Sequence, residues 1–219
     1  MTQIKICGLR NTGHALVAAD AGADFLGFVF VEGVRRQLSV DEAAAMIRAY
    51  RRRHGPGGPK LVGLFADQPV EFINGAVREC GLDIVQLCGD EPPELWGTID
   101  AGVIRQVKVR DDVPRKVAVD QARRKVSEAV SAGHRAVLDT YHSGSPGGTG
   151  LSFDWAIAEQ VAREFDVLLA GGLTPENVAA AIEVARPWGV DVSSGVETDG
   201  LKDPSKIEAF ADAVREAEC

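Results

Sequence analysis

Eight short apolar runs, each followed by a stretch with helical spacing, repeat along this chain without a break, and no other feature limits its fold so strongly. The runs are QIKIC (3–7), DFLGFVF (24–30), KLVGLF (60–65), DIVQL (83–87), VIRQVKV (103–109), RAVLD (135–139), DVLLAGG (166–172) and GVDVSSG (189–195). Between and after them lie amphipathic or alanine-rich segments such as HALVAADAGA, SVDEAAAMIRAYRRR, VEFINGAVRECG, DWAIAEQVAREF, PENVAAAIEVAR and PSKIEAFADAVREAE. Strands alternating with helices pair in parallel through right-handed crossovers. Eight such units in 219 residues predict an α/β chain folded as one domain over 1–219, a compact (β/α)8 barrel, a fold whose size starts at roughly 200 residues. An open doubly wound sheet is the alternative with the same rhythm.

Helix starts are marked in three places. Ser39 with Glu42 reads as a capping box, Thr174 precedes Pro175 at an expected first helical position, and Asp203 precedes Pro204. The fourth helical segment, PPELWG, is very short, and HGPGGPK (54–60) reads as a loop at the amino-terminal end of the barrel rather than a linker between domains.

With 45% hydrophobic and 26% charged residues the chain has the composition of a globular protein. A net charge of −8 argues against a nucleic-acid partner, because such proteins gain affinity from clustered Lys and Arg. The basic run Arg51-Arg52-Arg53-His54 reads as a solvated helix end favoured by the helix dipole. Cys7, Cys80, Cys88 and Cys219 show no CxxC spacing, no run is long and apolar enough to span a membrane, and no signal-peptide pattern is present, so a reducing cytoplasm is expected.

In a (β/α)8 barrel the chemistry lies at the carboxyl ends of the strands. Those ends supply Cys7-Gly8, the loop bearing Arg35-Arg36, Asp67, Gln86 to Gly89, Lys108, Asp139, Gly171-Gly172 and Asp191 to Gly195. Strand parity places Lys5 and Cys7 on one face and Ile4 and Ile6 on the other, so the thiol faces the barrel interior. Residue type alone leaves open whether Cys7 is a small core hydrophobe or a reactive group, since neighbouring cations can lower a thiol pKa. Asp139, sharing its face with Arg135 and Val137, can cap a turn or act as an acid, and Asp191 can brace a loop or hold a ligand. Gly171-Gly172 after the seventh strand and Ser193-Ser194-Gly195 after the eighth are either plain turns or the backbone-lined phosphate site found at those positions in many barrels. HSGSPGGTG (142–150) is the candidate lid.

These residues also carry a resemblance. KICG (5–8), GADFLGFVF (22–30), VGLF (62–65), DIVQLCGDE (83–91), VLDTY (137–141), GGTG (147–150), FDW (153–155), AGGLTPENV (170–178) and VDVSSGVE (190–197) resemble, in order and spacing, the blocks of the phosphoribosylanthranilate isomerases of tryptophan biosynthesis. The resemblance runs from the first residues to beyond position 215. It implies an Amadori rearrangement of a small phosphorylated aminosugar, with no cofactor, no metal, no membrane partner, and a monomeric or homodimeric protein. Carried over, Asp139 is the general acid and Cys7 the general base, its pKa lowered by cations and helix ends. Arg36 holds the anthranilate carboxylate, Gln86 borders the ring, Asp191 meets substrate hydroxyls, and Gly171, Gly172, Ser193, Ser194 and Gly195 hold the phosphate. Two departures are Cys88, where the family usually has histidine, and Leu151, where lysine is frequent. The alternatives are an isomerase of relaxed specificity that also serves histidine biosynthesis, and a barrel that binds the phosphosugar without turnover.

Overall fold

The computed structural model describes residues 1–55, 57–141 and 154–217. Eight parallel strands close into one barrel in chain order: β1 (Gln3–Ile6), β2 (Phe25–Val29), β3 (Lys60–Phe65), β4 (Ile84–Leu87), β5 (Gly102–Arg110), β6 (Arg135–Tyr141), β7 (Val167–Leu169) and β8 (Gly189–Val192). β8 pairs back onto β1, with Lys5 opposite Asp191. The barrel is closed, so the open sheet is excluded.

The helices are α1 (Thr12–Asp20), α2 (Val40–His54), α3 (Val70–Cys80), α4 (Pro93–Trp96), α5 (Arg115–Ser131), α6 (Trp155–Ala162), α7 (Val178–Ala185) and α8 (Pro204–Glu216). Ser39 and Glu42 form the expected reciprocal cap, and Asp203 accepts from the Ser205 amide in front of α8. α7 begins later than its proline suggests. Asn177 accepts from the Thr174 amide at 2.8 Å and donates to the Gly172 carbonyl at 2.9 Å, which ties residues 174–177 into a turn against the glycine loop, and regular helix starts at Val178.

Parity sorts the strand residues as expected. Ile4, Ile6, Leu26, Phe28, Leu61, Phe65, Val85, Leu87, Ala136 and Leu138 belong to the layer between strands and helices, each large one contributing roughly 1.5–3 kcal/mol through burial. Cys7, Phe25, Val29, Val62 and Leu64 on one side, and Ile104, Val137, Leu168 and Ala170 on the other, fill the interior, with Ile84 and Trp188 packed against both groups. At the amino-terminal end a cavity of about 480 Å³ is lined by Phe25, Ile84, Ile104, Trp188 and residues 57–60, which places the described part of the expected loop at that end, with His54 closing α2 and Lys60 opening β3. The catalytic candidates lie at the other end.

Candidate active site

β1 carries the centre of the site. Lys5 is fully buried and its Nζ donates to Asp191 Oδ2 across the closing seam at 2.8 Å. One residue pair further up, Cys7 leaves the strand with its side chain inside the barrel, 6% exposed. Gly27 on β2 makes the room: a Cβ there would stand 3.0 Å from Cys7 Sγ and equally close to its Cα. Gly8 turns at φ +78°, which suits glycine, and Arg36 crosses directly over it.

Burial disfavours the Lys5 charge, but Asp191 and then Cys7 outweigh it and hold the ammonium form above its ordinary range. The Cys7 thiol moves opposite to the expectation of a lowered pKa: burial raises it, and the attraction of Lys5 does not cancel that rise. Burial is the larger cause, and Asp191, paired with Lys5 at the seam, adds a smaller push in the same direction. Lys202 opposes them.

On β4, Gln86 is buried facing the interior, its Nε2 3.5 Å from Cys88 Sγ, and its Oε1 has no partner among the described residues. Burial lifts the Cys88 thiol to about 12, so in the histidine's usual place stands a neutral, weakly polar group. Asp191 Oδ1 is likewise buried without a partner. Both oxygens are acceptors for which the described chain supplies no donor. Asp139 lies on β6 opposite Lys108, and Gln106 Nε2 donates to its Oδ2 at 2.6 Å. The 142–150 segment named as a lid, Leu151 and Cys219 lie outside the described residues.

The loops after β7 and β8 touch. Gly171 and Gly172 both have positive φ, +88° and +69°, and a Cβ on Gly195 would stand 1.8 Å from the Leu173 carbonyl oxygen, so only glycine allows this approach. Ser193 Oγ donates to the Cys7 carbonyl at 3.2 Å, and Ser194 opens a short 3-10 turn, Ser194–Val196. Thus the loop after β7 meets the loop after β8 at Leu173 and Gly195, and Ser193 of the latter reaches Cys7. Behind them a hairpin, Glu197–Thr198 with Leu201–Lys202, presents two groups the sequence reading gave no role. Lys202 Nζ donates to the Ser193 carbonyl and to Glu197 Oε1, each at 2.8 Å. Arg36 donates to the same carboxylate through Nε and Nη2, at 2.7 and 2.9 Å. Burial works to raise the Glu197 pKa, and Arg36 and Lys202 overcome it, bringing the carboxyl to about 2. Only parity with Cys7 pointed to Lys5, and nothing local pointed to Gln106, Glu197 or Lys202.

Among the described residues no three His, Cys, Asp or Glu side chains are grouped as metal ligands, and no helix is long and apolar enough to cross a membrane.

Fold and site together define a (β/α)8-barrel enzyme whose thiol, carboxylates and cations meet at the carboxyl ends of its strands. The family described as N-(5'phosphoribosyl)anthranilate (PRA) isomerase matches residues 4–213. The chain is 45% identical over 219 residues to the N-(5'-phosphoribosyl)anthranilate isomerase of Roseiflexus castenholzii, covering 98% of each. It is 39% identical over 225 residues to that of Dehalococcoides mccartyi, covering 100% of this chain and 98% of that one. Among solved structures, the phosphoribosyl anthranilate isomerase from Thermotoga maritima superposes with a TM-score of 0.83 at 33% identity, over 99% of this chain and all of that one. An isomerase bound to reduced 1-(o-carboxyphenylamino)-1-deoxyribulose 5-phosphate superposes at 0.80, also at 33% identity, with the same coverage. The chain belongs to the N-(5'-phosphoribosyl)anthranilate isomerase family.

Proposed function

We propose that this protein converts N-(5-phosphoribosyl)anthranilate to 1-(2-carboxyphenylamino)-1-deoxyribulose 5-phosphate, the Amadori step of tryptophan biosynthesis, with Cys7 as general base and Asp139 as general acid. The observation that carries this reading is the inward placement of Cys7 above the Lys5–Asp191 pair, in a barrel of this family that also turns Asp139 inward.

Asp139 protonates the ribose ring oxygen. The C1–O bond breaks, the ring oxygen becomes a hydroxyl, and C1 is left as an iminium conjugated to the aryl amine. Cys7 as thiolate then takes the proton from C2, and the electron pair moves to form an enolamine. Protonation at C1 and loss of the proton on the C2 oxygen give the ketone, so no atom or electron is gained overall. The raised Cys7 pKa fits this order. Burial keeps the thiol protonated until the iminium forms, and that cation, with Lys5 beneath, then favours the thiolate, the thiol proton passing to solvent before the C2 proton is taken.

Arg36 takes the anthranilate carboxylate, the planar two-oxygen group its guanidinium matches. The glycine loop Gly171-Gly172 and Ser193-Ser194-Gly195 take the phosphate, and the unpartnered Oδ1 of Asp191 and Oε1 of Gln86 receive donors from the substrate. The test is a fluorescence assay on freshly made substrate with Cys7→Ser and Asp139→Asn. Each should lower kcat by at least ~100-fold with little change in Tm, the scale of a proton-transfer residue. Near-normal turnover in either variant, or wild-type substrate loss no faster than spontaneous hydrolysis, defeats the reading.

A further inference from the structure

A guanidinium has two edges that can face a carboxylate, the Nε–Nη2 side and the Nη1–Nη2 end. Glu197 takes the first edge of Arg36, with Nε on Oε1 and Nη2 on Oε2. Among the described residues Nη1 makes no hydrogen bond or ion pair. Arg36 keeps 19% of its side chain exposed, while Glu197 keeps 5%. The arginine stem lies over Gly8, adjoining Cys7, since a Cβ on Gly8 would stand 2.4 Å from Arg36 Cδ. From the far side Arg35 Nη2 donates to Glu197 Oε2 at 2.5 Å, and Lys202 links Glu197 Oε1 to the Ser193 carbonyl. One carboxylate therefore ties the loop after β2 to the loop after β8.

We propose that Glu197 is a positioning residue that sets specificity for an aryl amine bearing a carboxylate. It locks Arg36 by one edge so that the other stands as a preset two-donor fork, and through Lys202 it fixes the distance between that fork and the Ser193–Gly195 loop. The substrate is thereby measured from its carboxylate to its phosphate. Preset donors lose less freedom on binding, and a fork held by a buried anion cannot fold back onto another acceptor. This inference rests on the assignment of the substrate carboxylate to Arg36.

Two ligands test it: the reduced product named above and its phenyl counterpart without the carboxyl group, titrated calorimetrically into wild type and Glu197→Gln. Wild type should favour the carboxylated ligand, and Glu197→Gln should cut that preference about tenfold, the scale of one charge-assisted hydrogen bond. Affinity for the phenyl ligand should change much less. Equal loss for both ligands would make Glu197 a mere strut and overturn the inference, as would an unchanged preference. A wild type with no preference would instead remove the Arg36 assignment and the inference with it. Should Glu197→Gln fail to fold, arginine side-chain NMR on wild type decides. The carboxylated ligand should perturb the Arg36 Nη1 protons and leave Hε protected from exchange; loss of that protection means Arg36 abandons Glu197, which overturns the inference.

Discussion

Replacing Lys5 by methionine removes a charge and keeps most of the side-chain volume, which isolates the electrostatics of the seam. Lys5 is fully buried, its Nζ sits 2.8 Å from Asp191 Oδ2, and Asp191 Oδ1 has no other partner to fall back on among the described residues. Breaking a buried pair from one side leaves an uncompensated charge and costs about 3–5 kcal/mol. For a barrel of this size each kcal/mol shifts Tm by roughly 2–4 °C, so calorimetry should record a fall of roughly 6–20 °C. Asp191→Leu on top of Lys5→Met should recover most of that loss, because an apolar pair carries no desolvation penalty. Activity should follow another course. Lys5 is the main influence holding the Cys7 pKa down against burial, so its loss drives the thiol further up and moves the ascending limb of the kcat/KM profile to higher pH. Stability returns in the double variant while turnover does not. A single variant melting within 2 °C of wild type (about 1 kcal/mol at most), a double variant no more stable than the single, or a profile that does not move upward would refute the reasoning.

Two shorter predictions follow from the loops. Glu197 falls from 4.5 to about 2 on folding, so at about 1.4 kcal/mol per unit it contributes about 3 kcal/mol above its unfolded pKa, and this is lost as pH falls from about 5 to about 2. Urea unfolding of wild type and Glu197→Gln should differ at pH 6 and converge toward pH 2; a constant gap would contradict the shift. Gly195→Ala places a methyl 1.8 Å from the Leu173 carbonyl oxygen, so the two loops must part by about 1 Å, and KM for the phosphorylated substrate should rise on the order of 100-fold. An unaltered KM would mean that these loops do not hold the phosphate.

Where the sequence was read through local periodicity, the structure agrees. Parity alone turned Cys7, Val137 and Asp139 inward and Ile4, Ile6, Ala136 and Leu138 outward, because a strand has only two faces. What escaped depends on partners far away in the chain. The Cys7 shift is set by burial inside the closed barrel with a further push from Asp191, 186 residues from Lys5, and the hold on Arg36 comes from Glu197, 161 residues away. The proline at 175 signalled a helix start correctly in kind, but Asn177 bonds back to Gly172 and delays it. Cys88 could be seen as a departure from the family; that burial leaves it neutral beside Gln86 needed coordinates.

The seam between the first and last strands has a temporal meaning. Asp191 and Ser193 each emerge from the ribosome 186 residues after Lys5 and Cys7, so the thiol waits on an unfinished wall until they arrive. Because inward and outward positions alternate, sliding β8 by one residue would bring Val190 or Val192 to Lys5, leaving an ammonium against hydrocarbon. The ion pair thus works as a key that accepts one closure of the barrel, and the same event that seals the cylinder arms the nucleus of the site.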